Sequence, residues 1–140
     1  MKTLALQKHI ISELYKGEVF AYECDGKDVY ISDCSRVWKV PYDVIFINLA
    51  DMKEAKVKRF IDDGDKANIR FEEIYTGNFS RYEFGEIEGV KTFYDPKLLD
   101  FFEKYEMYKL DKDPRGPIFI KEKGETVGMV MPVESEDEDG

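Results

Sequence analysis

The stretch EVFAYECDGKDVYISDCSRVWKVP, residues 18–41, decides the fold class. Apolar residues recur at alternate positions before and after its centre: Val19, Ala21, Val29 and Ile31. A period of two is typical of strands with one buried face, and the central Asp25-Gly26 pair is a strong hairpin signal. Pro41 ends the pattern because proline has no amide hydrogen to give to a strand ladder. The stretch therefore predicts neighbouring antiparallel strands.

A helix is expected before these strands. The segment KTLALQKHIISELYKG, residues 2–17, has apolar residues at helical spacing: Leu4, Ile11 and Leu14, with Leu6 and Ile10 on the flanks. Gly17 follows at once, and glycine readily adopts the left-handed conformation that ends helices. The spacing predicts one helix with these residues on its apolar face.

A second helix start lies in FYDPKLLDFFEKY, residues 93–105. Asp95 suits the N-cap and Pro96 suits the first helical position. Apolar residues then share one helical face: Leu98, Leu99, Phe102 and Tyr105. We expect strands after this helix, in residues 107–113 and 117–133, with a turn at Lys123-Gly124 in the latter.

The middle of the chain gives weaker signals. Residues 42–49 are short and apolar, which predicts a buried strand, and residues 51–63 form either a short helix, which we favour, or a hairpin. Residues 67–77 and 81–94 look like strands, with turns near Gly77-Asn78 and Gly89. The element order predicts one α+β domain over residues 1–133: a doubled helix-plus-strands unit with two helices packed on antiparallel sheet.

The charge is concentrated at one end. The formal net charge is -9, and five carboxylates lie in the last seven residues. We expect residues 134–140 to be a solvated, disordered tail, since like charges repel and no apolar group there can be buried. The alternative is that the acidic surface mimics nucleic-acid phosphates for a basic partner.

Motifs for catalysis, metals and cofactors are missing from the sequence. Cys24 and Cys34 have no CxxC spacing, so no zinc site is expected, and both are interpreted as half-buried strand residues. His9 is the single histidine and is interpreted as a solvated helix residue. Residues 62–65 are a turn rather than a calcium loop. We predict a non-enzyme without cofactor, located in the cytoplasm because neither a signal peptide nor a membrane span is recognised.

Two motifs and the element order resemble the DNA sliding clamps, the family of the bacterial β-clamp and the eukaryotic processivity ring. VYISDCSRVWKVP, residues 29–41, resembles a clamp strand that ends in Asp-Gly-x-Arg, with Asp33 and Arg36 at the matching positions. GMVMPV, residues 128–133, is similar to the Val-Met-Pro-Met at the end of bacterial clamps. Cys34 departs from the family glycine, and one domain replaces the two or three of a ring-forming chain.

The resemblance implies a peptide-binding site. In bacterial clamps the strand-end arginine and the terminal Met-Pro strand line an apolar groove that captures short motifs of polymerases and repair proteins. The matching positions in this chain are Ser32, Ser35, Arg36, Val37, Met129 and Met131. Because the clamp groove lies between neighbouring domains, Arg36 and the terminal strand would have to meet between chains.

We therefore predict a clamp-like, non-enzymatic module from a phage or mobile element that binds a host replication, repair or nuclease protein. The alternative is an acidic inhibitor of the anti-restriction or anti-CRISPR type. Tight direct DNA binding is not expected, since the net charge opposes it and the sequence has only one basic cluster: Lys53, Lys56, Lys58 and Arg59. Repulsion between the acidic chains favours a monomer or small oligomer that does not encircle DNA.

Overall fold

The structure is a computed structural model and describes residues 1–71, 83–87, 90–111, 113 and 115–132. Within these residues the α-helices are α1 (Thr3–Tyr15) and α2 (Arg59–Asp62). The strands are β1 (Ala21–Cys24), β2 (Asp28–Ser32), β3 (Arg36–Pro41), β4 (Lys53–Glu54), β5 (Ile69–Arg70), β6 (Glu83–Ile87), β7 (Val90–Tyr94), β8 (Tyr105–Lys109), β9 (Ile118–Glu122) and β10 (Glu125–Val130). Single turns of 3-10 helix are Tyr42–Val44, Leu49–Asp51, Asp63–Lys66 and Pro96–Leu99.

Eight strands form one sheet in the order β4-β1-β2-β3-β10-β9-β8-β5, and β6 and β7 form a separate hairpin. All pairs are antiparallel except β1 with the two-residue edge strand β4. The predicted α+β class with a large antiparallel sheet is confirmed. The N-terminal meander β1-β2-β3 joins the C-terminal meander β8-β9-β10 through the pairing of β3 with β10.

Alternate residues of the central strands point to opposite sides of the sheet, and each side is covered by another element. On one face α1 contributes Leu6 and Ile10 to a core with Ile31 and Trp38. On the other face α2 and the segment before it cover the sheet, with Val57 and Ile61 buried against β3, β9 and β10 residues: Val37, Phe119 and Met129.

The first helix is confirmed, but its buried face differs from the sequence prediction. The buried residues of α1 are Leu6, Gln7 and Ile10. Leu4 and Ile11, expected in the apolar stripe, are exposed. The helix ends as predicted before Gly17, whose φ of 93° is the left-handed conformation. Helix α1 therefore carries two apolar stripes, of which the sheet buries one.

The predicted buried strand at 42–49 is wrong. Residues Tyr42–Val44 form a 3-10 turn, and Val44 and Phe46 are exposed while Ile47 is buried. The buried side chain of Gln7 explains the difference, because it replaces a neighbouring strand as hydrogen-bond partner. Its Nε2 donates to the Val44 carbonyl, and its Oε1 accepts the N–H groups of Phe46 and Ile47.

The ambiguous segment 51–63 contains both a short strand and a short helix. Lys53–Glu54 is the edge strand β4, and the favoured helix is present only as the single turn α2. Residues Val57 and Ile61 are buried as one face, whereas Phe60 is exposed. The helix therefore starts at Arg59, later than the predicted start of the segment at residue 51.

The second predicted helix is reduced to one turn. The Asp95 carboxylate accepts the Lys97 N–H at 3.0 Å, so the predicted N-cap is confirmed. The turn is 3-10 and ends at Leu99, because Lys104 has a φ of 45° and Tyr105 already pairs with Glu122 in the sheet. Residues 96–99 therefore form a single helical turn where the sequence predicted an α-helix.

The predicted strand regions at 81–94, 107–113 and 117–133 are present as β6 to β10, although β8 begins earlier, at Tyr105. Lys123 and Gly124 both have positive φ, as the tight turn between β9 and β10 requires. The turns predicted near residues 77 and 89 and the acidic tail at 134–140 lie outside the described residues. Among the described residues, no helix is long and apolar enough to cross a membrane.

Candidate partner-binding site

The residues implied by the clamp resemblance lie together at one place, which we call the β3–β10 corner: Ser32, Ser35, Arg36, Val37, Met129 and Met131. Arg36 pairs with Val130 and Val37 with Met129 across the two strands. The Met131 N–H continues the contact by donating to the Ser35 carbonyl at 2.8 Å. The expectation that Arg36 and the terminal strand meet between chains is therefore wrong, since they are neighbours within one chain.

A tight turn between β2 and β3 builds this corner. The Asp33 Oδ1 atom accepts the N–H groups of Ser35 and Arg36, both at 3.0 Å, and the Ser32 hydroxyl accepts the Cys34 N–H at 3.2 Å. Cys34 has a φ of 80° and its side chain is exposed, as is that of Cys24. The expectation of half-buried strand cysteines is therefore wrong, because Cys34 lies in the turn and Cys24 at an exposed strand end.

Arg36 is held by several groups at once. Its Nε donates to the Asp33 Oδ2 atom at 2.9 Å, and its Nη1 donates to the Lys97 carbonyl at 3.3 Å. The guanidinium lies 4.5 Å from the centroid of the Trp38 ring, and the residue is only 7% exposed. These contacts bind the C-terminal half of the chain to the N-terminal half and leave little of Arg36 for a partner.

The remaining residues of the corner do not form an open apolar groove. Val37 and Met129 are buried in the core between the sheet and α2. Met131 is 43% exposed and Ser35 is exposed, while Ser32 is partly buried. A partner at this corner would contact chiefly Met131 and the turn.

A small depression of about 220 Å³ opens beside Arg36. It is lined by His9, Glu13, Glu18, Val19, Phe20, Asp33 and Arg36. His9 is partly buried rather than solvated, since its ring packs against Phe101 with the centroids 5.1 Å apart. The lining contains three carboxylates, from Glu13, Glu18 and Asp33. Its one guanidinium, from Arg36, is already paired with Asp33.

A larger depression, of about 520 Å³, lies on the other side of α1, and we call it the α1 groove. Its lining residues are Ile11, Leu14, Tyr15, Gly17, Glu18, Ile47, Asn48 and Asp51. Ile47 is buried and Leu14 is partly buried, whereas Ile11 is 46% exposed and Tyr15 is 94% exposed. The groove therefore has an apolar lining with large side chains left in solvent.

Gln7 positions the wall opposite α1. Its three hydrogen bonds fix residues 44–47 against the helix, so that Ile47 turns into the core and Phe46 turns outward. On α1 itself, Leu4, Ile11 and Tyr15 are separated by seven and four residues, which places them on one face of a helix. Val44 and Phe46, in the segment bonded to Gln7, are exposed apolar residues as well.

Sequence reasoning missed this surface, although one signal for it was present. The apolar residues of residues 2–17 fill two helical faces, and one sheet can bury only one of them. Treating all of them as core hid the second face. The outward turn of Val44 and Phe46 had no comparable signal, because it depends on the long-range contact with Gln7.

Lys109 on β8 is a second buried cation, apart from both depressions. Its Nζ donates to the Thr92 hydroxyl at 2.7 Å and lies 5.3 Å from the Phe71 ring centroid. Burial lowers the pKa of Lys109 to about 8, against the opposing attraction of Asp113. The amine therefore links the β6-β7 hairpin to the main sheet, and its burial there disfavours the charged form.

Within the part of the chain that the structure describes, no group of three or more His, Cys, Asp or Glu side chains is arranged to hold a metal ion. Comparison with family models, with curated proteins and with solved structures finds no match to this chain.

Proposed function

We propose that this chain is a non-enzymatic module that binds another protein, and that the α1 groove is its binding surface. The observation that carries the proposal is the second apolar stripe of α1, where Leu4, Ile11 and Tyr15 are exposed and the last two line the groove. Large apolar groups that remain contiguous and exposed are characteristic of interaction surfaces.

Tyr15 is the side chain with most to gain from a partner. It is almost fully exposed, and tyrosine is enriched among the residues that dominate binding energy because it buries a large area with few rotatable bonds. The groove beside it has the volume of an ordinary ligand-sized site. Because its walls are open to solvent, they are accessible to side chains on the surface of another protein.

A clamp-like architecture and a replication, repair or nuclease partner from the host of a phage or mobile element are part of the proposal. The element order supports the first: α1 precedes the meander β1-β2-β3, and the 3-10 turn Pro96–Leu99 precedes the meander β8-β9-β10. The partner class follows from the resemblance alone. It places binding at the β3–β10 corner, so Met131 and the α1 groove must be tested separately.

The test is affinity capture from a lysate of the cells that carry the gene, with quantitative mass spectrometry. The groove variant carries Ile11→Gln and Tyr15→Gln, which keep helix-forming residues at exposed positions. We expect it to lose a protein that the unaltered chain retains, while circular dichroism and thermal unfolding remain close to those of the unaltered chain.

Two matched variants locate the binding surface. Phe60→Gln removes an exposed aromatic from α2 on the other face of the sheet and should retain the partner. Met131→Gln tests the β3–β10 corner and should retain it too. Loss with Met131→Gln but not with the groove variant would move the site to the corner, and retention by every variant would contradict both surfaces.

The second candidate function is an acidic inhibitor that presents carboxylates to a nuclease or DNA-binding protein. Its support is that Glu18 and Asp51 make no ion pair with any described residue. This function requires inhibition that weakens as salt is raised and is unaffected by the groove variant. Inhibition that depends on Tyr15 instead would favour the apolar groove.

A further inference from the structure

We propose that the α1 groove recognises a basic protein segment, one that places a large apolar side chain in the groove and a lysine or arginine beside it. This inference rests on the proposed function and names the chemistry of its partner. The charges around the groove, the shape of its apolar part and the adjoining depression at Glu18 support it.

The charges at the groove are of one sign. Glu18 and Asp51 are the ionisable residues of the lining apart from the Tyr15 phenol, both are exposed, and neither pairs with a cation among the described residues. An apolar patch rimmed by unpaired carboxylates is complementary to an apolar anchor flanked by positive charge. It is unfavourable to an acidic segment, since like charges brought together during docking raise the free energy of the complex.

The apolar part of the groove fits one large side chain. Ile47 and Leu14 supply an apolar base, and Ile11 and Tyr15 stand exposed beside it. A leucine, phenylalanine or tryptophan inserted there would remove both walls from water. Burial of a few such anchor side chains supplies most of the binding free energy in small interfaces.

The adjoining depression extends the acidic surface. Glu18 lines both depressions, and Glu13 and Asp33 line the smaller one alone. The exposed Lys16 partly offsets Glu13 at 3.5 Å, and Arg36 offsets Asp33. Glu18 is thus the carboxylate placed to reach a cation on a segment already anchored in the groove, and the net charge of -9 attracts such a segment from a distance.

The experiment selects a displayed library of random short peptides on the intact chain and measures the enriched peptides by fluorescence anisotropy. We expect enrichment of an aromatic or leucine residue together with lysine or arginine. Ile11→Gln with Tyr15→Gln should weaken these peptides about a hundredfold, and Glu18→Lys about tenfold, with weaker binding at high salt.

Asp63→Lys is the matched control for Glu18→Lys. It makes the same change in net charge at an exposed residue beside α2 and should leave the affinity within about twofold, the size of a long-range effect screened by salt. Equal weakening by the two charge reversals would overturn the assignment to Glu18, because only net charge would then matter.

The outcomes separate this inference from the proposed function. Peptides that need Tyr15 but carry no basic residue and ignore Glu18→Lys would overturn the inference and leave protein binding at the groove intact. Acidic enriched peptides would do the same. Failure to enrich any groove-dependent peptide, together with a captured protein that needs the groove, would overturn the short-segment part, whereas loss of both results would remove the proposed function as well.

Discussion

On one side of α1, at the β3–β10 corner, Arg36 is held by Asp33 and Trp38, although the Trp38 Nε1 atom has no hydrogen-bond partner among the described residues. Of the two methionines there, one is buried and one is exposed. On the other side, beside the α1 groove, the buried Gln7 makes three hydrogen bonds, yet Ile11 and Tyr15 in the groove are left in water. Adjacent regions of one small domain thus differ in how many large apolar side chains folding leaves exposed.

The proposed binding surface and the corner are marked by different kinds of signal. The corner carries recognisable motifs, but its arginine, valine and one methionine serve the interior of the protein. The groove carries no motif and is built from ordinary helix residues. Exposure of groups that folding could have buried, rather than a short pattern of letters, distinguishes the groove.

Replacing Arg36 with methionine is the strongest way to test the comparison. The variant loses the ion pair with Asp33, the bond to the Lys97 carbonyl and the contact with Trp38. We expect the free energy of unfolding to fall by about 4 kcal/mol, since removal of one partner leaves a half-buried carboxylate without its cation. Equilibrium urea denaturation measures the change.

Lys39→Met is its control. Lys39 lies on the same strand and pairs with Glu125 at 3.0 Å, but it is more exposed than Arg36, so we expect a loss of no more than about 1 kcal/mol. Similar small losses for both variants would mean that the corner is not held by Arg36. That result would return Arg36 to the list of residues free to bind a partner.

Lys109 extends the comparison to a buried cation whose charge is disfavoured. Its folded pKa of about 8 lies below the ordinary 10.5, so between these values the unfolded chain binds more protons than the folded chain. Stability from this group therefore rises with pH through the window and is absent below it. The full rise corresponds to about 3 kcal/mol, an upper bound because water can relax around the amine.

The measurement is the stability of the unaltered chain relative to Lys109→Met from pH 7 to pH 10. We expect the difference to shift in favour of the unaltered chain as the pH rises. Lys66→Met removes an exposed amine and should give a constant difference. A constant difference for Lys109→Met as well would show that the amine titrates normally.

Replacing Gln7 with leucine tests whether the groove wall depends on a buried polar contact. The variant leaves the Val44 carbonyl and the N–H groups of Phe46 and Ile47 without their partner. We expect the free energy of unfolding to fall by about 2 kcal/mol, because backbone groups that lose a buried hydrogen bond are left without a partner.

Hydrogen exchange provides the decisive readout for Gln7. The amides of Phe46 and Ile47 should lose protection selectively, while amides in β2 and β3 exchange as before after correction for global stability. Unchanged protection at both amides would show that the wall is positioned by the burial of Ile47 alone.

The sequence could predict elements that rest on local rules. Gly17 ends α1, Asp95 caps the turn at residues 96–99, and Lys123-Gly124 turns β9 into β10. Val29 and Ile31 are buried as the alternation predicted, but Val19 is exposed and Tyr30 is buried as well, so the expected single buried face is wrong. Each of these depends on residues within one or two turns of the chain.

The rest depended on distant contacts. The strand expected at 42–49 is absent because Gln7, nearly forty residues away, takes its backbone hydrogen bonds. The helix expected after Asp95 stops because Tyr105 pairs with Glu122. The pairing of β3 with β10 brought the predicted site residues together, but no local rule could show that sheet burial would enclose Val37 and Met129.

The smallest expected effect is a gain in stability at Cys34. Its φ of 80° lies in the left-handed region, where any side chain with a Cβ is strained and glycine is not. The clamp resemblance also has glycine at this position. We expect Cys34→Gly to raise the free energy of unfolding by about 1 kcal/mol, reduced somewhat by the greater freedom of glycine in the unfolded chain.

Cys24→Gly makes the same replacement at the exposed end of β1, where φ is not left-handed, and should lower stability by a similar amount. Urea denaturation under reducing conditions compares the two. Equal losses would mean that the turn between β2 and β3 relaxes around Cys34, and opposite signs would show that this turn retains backbone strain.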